Sequence, residues 1–262
     1  MLKRRLIPKL LLRSMRLGNA DRMTLVTTVR FDQTVQVGDP ISQAKIYQAQ
    51  MADELIFLDL DATFQGRPTM AGIVERAAEE IFMPLTVGGG VRSLDDFRTL
   101  LRHGADKVSV NTAAVESPDL IERAADAFGA QCVVVSIDFR RTNDGRYSVF
   151  TRGGRHESGL EPGEWAQAGA RRGGGEILRT SIDRDGTRAG LDVEMTRRVA
   201  AEVSVPVIAS GGCGTAAHFV EGFSKGMADA VAAGTFFCLK DQTPLQIRAR
   251  IGNAGIPIRP QT

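Results

Sequence analysis

Cysteine, histidine and long apolar runs are all scarce in this sequence, and each scarcity closes a route to function. The three cysteines (Cys132, Cys213, Cys238) are odd in number and far apart, so no disulfide framework is indicated. The three histidines (His103, His156, His218) have no partners at metal-ligand spacing, and no metal or other cofactor is expected. No apolar stretch approaches the roughly 20 residues that a membrane span needs. The opening MLKRRLIPKLLLRS begins like a leader, but Pro8 and Lys9 cut its apolar run and no small-residue cleavage site follows. It reads as a first strand, which makes a cytoplasmic location the expectation. A formal net charge of +2, spread along the chain, gives no electrostatic case for nucleic acid.

What is present is a regular alternation. Of the 262 residues, 43% are hydrophobic, enough for a sizeable core, and the length suits one large domain spanning 1–262. Short, continuously apolar runs at 5–12, 55–60, 84–87, 107–110, 133–137, 176–181, 206–210 and 229–233 read as strands buried on both faces. Helical patterns separate them, as at 41–51, 93–103, 118–128 and 193–203. Eight strand–helix units predict a closed (β/α)₈ TIM barrel rather than an open sheet.

The two halves also repeat. TVGGGVRSLDDF matches ASGGCGTAAHF with Gly89 and Gly212 123 positions apart, and ADKVSVNTAAV matches ADAVAAGTFF with Ala105 and Ala228 again 123 apart. FLDLDAT and RTSIDRDGT lie in similar register, Asp59 and Asp183 being 124 apart. An offset held across separated segments implies a duplicated half-barrel.

In such a barrel the residues just past each strand form the site. Four loops there are rich in glycine or hydroxyls: Gly88-Gly89-Gly90, Asn111-Thr112, Ser210-Gly211-Gly212 and Gly234-Thr235. Glycine lets backbone N–H groups approach an anion, and a following helix adds a favourable dipole. Two phosphate sites, one per half, are expected, and hence a phosphorylated small-molecule ligand. Asp138 closes the fifth strand in VVVSIDFRR and is the candidate general acid or base. Asp59, Asp61, Asp183 and Asp185 also end strands and serve equally well to order loops; Asp185-Gly186-Thr187 opens a loop within reach of a ligand.

LIFLDLDAT, PLTVGGGVRS, GADKVSVNTAAV, QCVVVSID, GGEILRTSIDRDGT and PVIASGGCGT together resemble the cyclase subunit of imidazole glycerol phosphate synthase, from Arg5 to about Leu239. The resemblance implies an ammonia-using lyase subunit of a glutamine amidotransferase complex, paired as a heterodimer with a glutaminase in histidine biosynthesis. It also implies a bis-phosphorylated ribulosyl-formimino nucleotide as substrate. Two aspartates carry that family's proton transfers. The one on strand 5 matches Asp138, whereas the strand 1 motif, roughly I-P-C-L-D-V, reads here Ile7-Pro8-Lys9-Leu10-Leu11-Leu12. Leu11 replaces the aspartate and Lys9 the cysteine. Loss of such a group typically costs ~10²–10⁴-fold in rate. The following loop, RSMRLGNADRM, is longer, and Thr27 stands where the family has a loop lysine.

Arg5, Glu54, Lys107 and Glu176 match all four members of the family's ammonia gate at the opposite end, and Asp106 matches a residue that docks the glutaminase. A leucine-rich strand 1 motif, with VGDPISQAKIY, further resembles a branch associated with acetamidino-sugar formation in surface polysaccharide biosynthesis, where ammonia passes to a separate sugar amidotransferase. That branch is the leading expectation from sequence. The alternatives are a histidine-pathway cyclase in which Lys9 or Asp59 replaces the lost acid, and an inert scaffold that keeps only the fold and the phosphate sites.

Overall fold

The computed structural model describes residues 3–18, 20–239 and 242–259. The strands are β1 Arg5–Leu17, β2 Ala20–Val29, β3 Gln33–Gly38, β4 Leu55–Asp59, β5 Leu85–Gly88, β6 Lys107–Val110, β7 Val133–Arg141, β8 Tyr147–Thr151, β9 His156–Glu157, β10 Glu176–Ser181, β11 Val207–Ser210 and β12 Ala230–Ala233. Eight of them pair in parallel in the order β1-β4-β5-β6-β7-β10-β11-β12, and β12 pairs back onto β1, closing the barrel. The helices are α1 Pro40–Ala49, α2 Ala62–Gln65, α3 Ala71–Ala78, α4 Leu94–Arg102, α5 Thr112–Glu116, α6 Asp119–Phe128, α7 Pro162–Arg171, α8 Val193–Glu202, α9 Ala216–Ser224, α10 Thr235–Leu239 and α11 Pro244–Asn253. The expected (β/α)₈ barrel is therefore present. Among the described residues no helix is long and apolar enough to cross a membrane.

Helix starts follow local chemistry. Asp39 caps α1 by accepting from the Ser42 N–H, and Ser93 with Asp96 forms a reciprocal capping box on α4. The apolar faces of the helices and the outward side chains of the strands make one large core, including Leu6, Leu10, Phe57, Val87 and Phe97. A second, smaller cluster fills the barrel axis: Ile7, Ile56, Val134, Leu178, Ile208, Ala230 and Ala232.

The stretch read from sequence as a lengthened loop after strand 1 is a strand extension. β1 continues past the barrel and folds into an antiparallel ribbon with β2 and β3 (Asn19 lies outside the described residues). β7 does the same with β8 and β9. In β1 the antiparallel pairing begins at Leu11, opposite Val26; in β7 it begins at Asp138, opposite Phe150. Leu11 and Asp138 thus occupy equivalent places in the two halves.

The repeat extends to the strand starts. The Asp106 carboxylate accepts the Leu85 N–H at 2.8 Å, and Asp229, 123 positions on, accepts the Val207 N–H at 3.0 Å. Past the strands the geometric match shifts by one residue from the sequence match. A side chain on Gly89 would collide with the Asp59 carbonyl, and one on Gly211 with the Ser181 carbonyl. Both pairs, 89 with 211 and 59 with 181, are 122 apart. Gly89 and Gly211 also have φ of 100° and 91°, so only glycine serves these turns without strain.

Below the apolar axis, Arg5, Glu54, Lys107 and Glu176 form a closed ring. Arg5 Nη1 lies 2.6 Å from Glu54 Oε1 and 2.7 Å from Glu176 Oε1; Lys107 Nζ lies 3.1 Å from Glu54 Oε2 and 2.8 Å from Glu176 Oε2. All four side chains are less than a fifth exposed. Burial alone would raise the Glu54 carboxyl, but Arg5 and Lys107 outweigh it and hold Glu54 below the ordinary glutamate value. For an acid held low in the folded state, the stabilisation is present above the ordinary value and is lost as pH falls through the folded one. Glu54→Gln leaves two buried cations sharing one carboxylate, which should cost about 3–5 kcal/mol at neutral pH. Urea unfolding of both proteins from pH 7 downward should show that gap closing in acid. Equal stability at pH 7 would mean the ring contributes nothing to the fold.

Candidate functional site at the barrel mouth

Parallel pairing keeps registered residues on the same side of a sheet. Because Ile7, Ile56 and Val134 point to the axis, Lys9 and Leu11 on β1, Leu58 on β4, Ser136 and Asp138 on β7, and Thr180 on β10 point there too. Above the apolar cluster these side chains line a cavity of about 120 Å³ with Asn111, Thr112, Gly89, Gly90, Arg13, Phe31, Phe64 and Arg155. A smaller neighbouring pocket is lined by Ser210, Gly211, Gly212, Gly234, Thr235 and Asp185, and Lys9 borders both. The two glycine-rich loop pairs expected from sequence therefore open onto adjoining pockets. Gly88 is the exception: it is the last residue of β5, and a side chain there would strike Leu58 and Ser109.

Asp138 Oδ2 accepts from Asn111 Nδ2 at 2.8 Å. Burial is the main influence on this carboxyl and pushes it up to about 6; the Asp185 charge adds to the rise, while Lys9, Asn111 and Thr180 oppose it. A carboxylate poised there can take and release protons near neutrality. Asn111, expected on a phosphate, spends its amide nitrogen on Asp138 and, at 3.3 Å, on the Phe150 carbonyl. Its Oδ1, like the buried Ser109 and Ser210 hydroxyls, has no partner among the described residues. Thr112 Oγ1 accepts the Arg152 N–H at 2.9 Å, and the Gly90 N–H donates to Thr63 Oγ1 at 3.3 Å.

The other strand-end carboxylates are occupied. Asp59 accepts the Asp61 and Ala62 N–H groups at 2.9 and 3.0 Å and is gripped by both Arg67 terminal nitrogens, at 3.1 and 3.0 Å. It orders its loop and has no free face for the lost acid's role. Asp61 pairs with Arg13 at 2.9 Å, and Asp183 accepts the Arg141 N–H at 2.9 Å. Asp185 accepts from Thr28 Oγ1 at 2.6 Å, and Gly186 lies so close to the Thr28 carbonyl that no side chain would fit. That loop is thus clamped to the β1–β3 ribbon, although Asp185 still borders the smaller pocket. Burial raises the Asp185 carboxyl too, with Lys9 and Thr28 opposing.

Sequence reasoning missed the ribbon side chains that roof the cavity. Phe31 covers Gly154, and the Arg155 guanidinium sits 4.0 Å over the Phe64 ring. The Gly18-Asn19 and Asp144-Gly145 dipeptides, typical of hairpin turns, were the available signal.

The comparisons with known proteins agree with this architecture. The family described as "Histidine biosynthesis protein" matches residues 15–242. The chain is 48% identical over 259 residues to the "Putative imidazole glycerol phosphate synthase subunit hisF2" of Prochlorococcus marinus (strain MIT 9313), covering 99% of each. It is 50% identical over 236 residues to the "Imidazole glycerol phosphate synthase subunit HisF" of Geobacillus kaustophilus (strain HTA426), covering 90% of this chain and 94% of that one. The chain belongs to the histidine biosynthesis protein family and, within it, to the cyclase-subunit family of imidazole glycerol phosphate synthase.

Proposed function

We propose that this chain is the ammonia-receiving barrel subunit of an imidazole glycerol phosphate synthase-type complex, paired with a glutaminase and acting on a bis-phosphorylated nucleotide at a reduced rate. The observation that carries it is the complete ring of Arg5, Glu54, Lys107 and Glu176 set directly below an apolar axis that leads to Asp138. Neutral ammonia crosses an apolar layer that ions and bulk water avoid. The ring is the entrance: a partner competing for Lys107, whose charge sits on a flexible stem, opens it. Asp106 is exposed beside it and helps dock the glutaminase through the oxygen not used by Leu85.

At the mouth, Gly89, Gly90 and Thr112 hold one phosphate, and Ser210, Gly211, Gly212, Gly234 and Thr235 hold the other. The unpartnered Ser109 and Ser210 hydroxyls are ready to bind ligand oxygens. Asp138 accepts the proton released when ammonia adds to the ligand's carbonyl carbon.

The names of the two relatives support this reading over the acetamidino-sugar one, which neither mentions. A specific observation keeps the second reading: Leu11 faces the cavity where the family has its other acid. In that case the ammonia passes on to a sugar amidotransferase.

Purified protein supplied with ammonium salt and the nucleotide should turn over ~10²-fold or more below an ordinary cyclase. Asp138→Asn should abolish the remainder, and the rate should fall as pH drops through about 6, where the carboxylate takes its proton. A rate within about tenfold of an ordinary cyclase would refute the loss assigned to Leu11. With the glutaminase present, Lys107→Met and Glu176→Gln should alter glutamine-driven turnover while leaving ammonium-driven turnover unchanged. If both nitrogen sources respond alike, the ring is not the entrance.

A further inference from the structure

The lost acid has a candidate successor one layer down the same strand. Lys9 and Leu11 share the inward face of β1, separated by two residues, or roughly 6.6 Å of strand. A lysine's four-carbon stem spans about that distance, so an ammonium rooted at position 9 can stand level with a side chain at position 11. Lys9 is only 3% exposed, yet it borders both pockets, at the point where the two glycine-loop sites adjoin. Among the described residues its side chain makes no direct ion pair and no hydrogen bond, while Glu54 below it and Asp61 beside the cavity are both paired. The charged and titratable groups around it are Asp138 on β7, Asp185 after β10 and Cys213 after β11, with Arg13, Asp59 and Arg155 lining the same cavity. The two carboxylates have partners of their own, in Asn111 and Thr28.

A buried ammonium that is left without a contact partner and borders a ligand cavity is oriented for the ligand. Resting on the reading above, we infer that Lys9 is the proton donor of the mouth, paired with Asp138 as acceptor, and that it supplies the residual rate by standing in, less effectively, for the acid absent at position 11. In the addition step the ammonia nitrogen bonds to the carbonyl carbon and the C=O π pair moves to oxygen. That oxygen takes a proton from the Lys9 ammonium, and the new C–N ammonium gives one to the Asp138 carboxylate. The product is a neutral carbinolamine. Return of the proton from Asp138 to Lys9 resets the site with no net gain or loss. A donor and an acceptor on opposite sides of one barrel mouth let both proton transfers of the addition occur at one site.

The test uses the full chain with ammonium chloride and no glutaminase, so that the bottom face plays no part. Lys9→Met should reduce turnover of the bis-phosphorylated nucleotide about 100-fold with KM held within about threefold. Lys9→Arg keeps the charge but not a transferable proton, and should not restore the rate. Lys9→Cys combined with Leu11→Asp rebuilds the resembled family's pair and should exceed Lys9→Met. Unchanged turnover in Lys9→Met, or full rescue by arginine, overturns the inference. A second measurement does not need a substrate: carboxyl NMR of Asp138, with its midpoint expected near 6 in the unaltered protein. Removing the Lys9 charge should move that midpoint upward, and an unmoved midpoint overturns the pairing. If the unaltered protein ignores the nucleotide, the cyclase reading fails and the donor role of Lys9 falls with it; if the unaltered protein turns over and Lys9→Met does too, only the inference about Lys9 fails. Lys9→Gln replaces Lys9→Met in both measurements if the methionine variant does not fold.

Discussion

Closing eight parallel strands into a barrel leaves the axis to every second side chain, and this parity governs what the interior can contain. On β1 the inward series is Arg5, Ile7, Lys9, Leu11 and Arg13, which alternates charge with hydrocarbon. Charge at Arg5 is neutralised by the ring, and the isoleucine layer above keeps that ring apart from the mouth. A one-residue slip of β1 would turn Leu6, Leu10 and Leu12 inward and press Arg5, Lys9 and Arg13 into the helix interface, at the desolvation cost of three buried cations. Register and function are therefore fixed by the same pattern.

Desolvation then explains the character of the mouth. Asp138 and Asp185 are both raised chiefly by burial, and each has Lys9 as an opposing charge. An aspartate at position 11 would add a third carboxylate to this group, and like charges at short range cannot all ionise together. Leucine at 11 with lysine at 9 removes one negative charge and adds one positive. The change converts a group of three carboxylates into two carboxylates and an ammonium, and the two substitutions make electrostatic sense together better than either does alone.

Most of the scaffold was legible because buried parallel strands must be continuously apolar, and each expected strand falls within a few residues of the observed one. The ring was legible through the resemblance, since nothing in the spacing of Arg5, Glu54, Lys107 and Glu176 links four residues so far apart in sequence. The ribbons were not legible. β3 lies largely at the surface and carries little hydrophobic alternation, so its pattern resembles that of a loop; β2 is buried from Thr24 to Thr28, but nothing in its run MTLVTTV tells a ribbon strand from a barrel strand. The roles of the strand-end aspartates were hidden for a different reason. Asp59 and Asp138 have the same local sequence setting, an acid closing an apolar strand. Only the third dimension brings the Arg67 guanidinium to one and the neutral Asn111 amide to the other.

The duplicated plan explains where chemistry can diverge. Glycines 89 and 211 are each forced by a close backbone approach, so each of the paired loops is held by steric necessity. Positions 11 and 138 are equivalent in topology but carry no such constraint: each side chain borders open space instead of neighbouring backbone. Substitution at position 11 therefore alters proton transfer without disturbing the loops beside it. The neighbouring inward position, 9, is the nearest place on the same strand from which a longer side chain reaches the vacated level. Of the charged residues lining the mouth, Asp59 is committed to Arg67, Asp185 to Thr28 and Arg13 to Asp61, and the exposed Arg155 lies over Phe64, whereas the buried Lys9 side chain pairs with none of them.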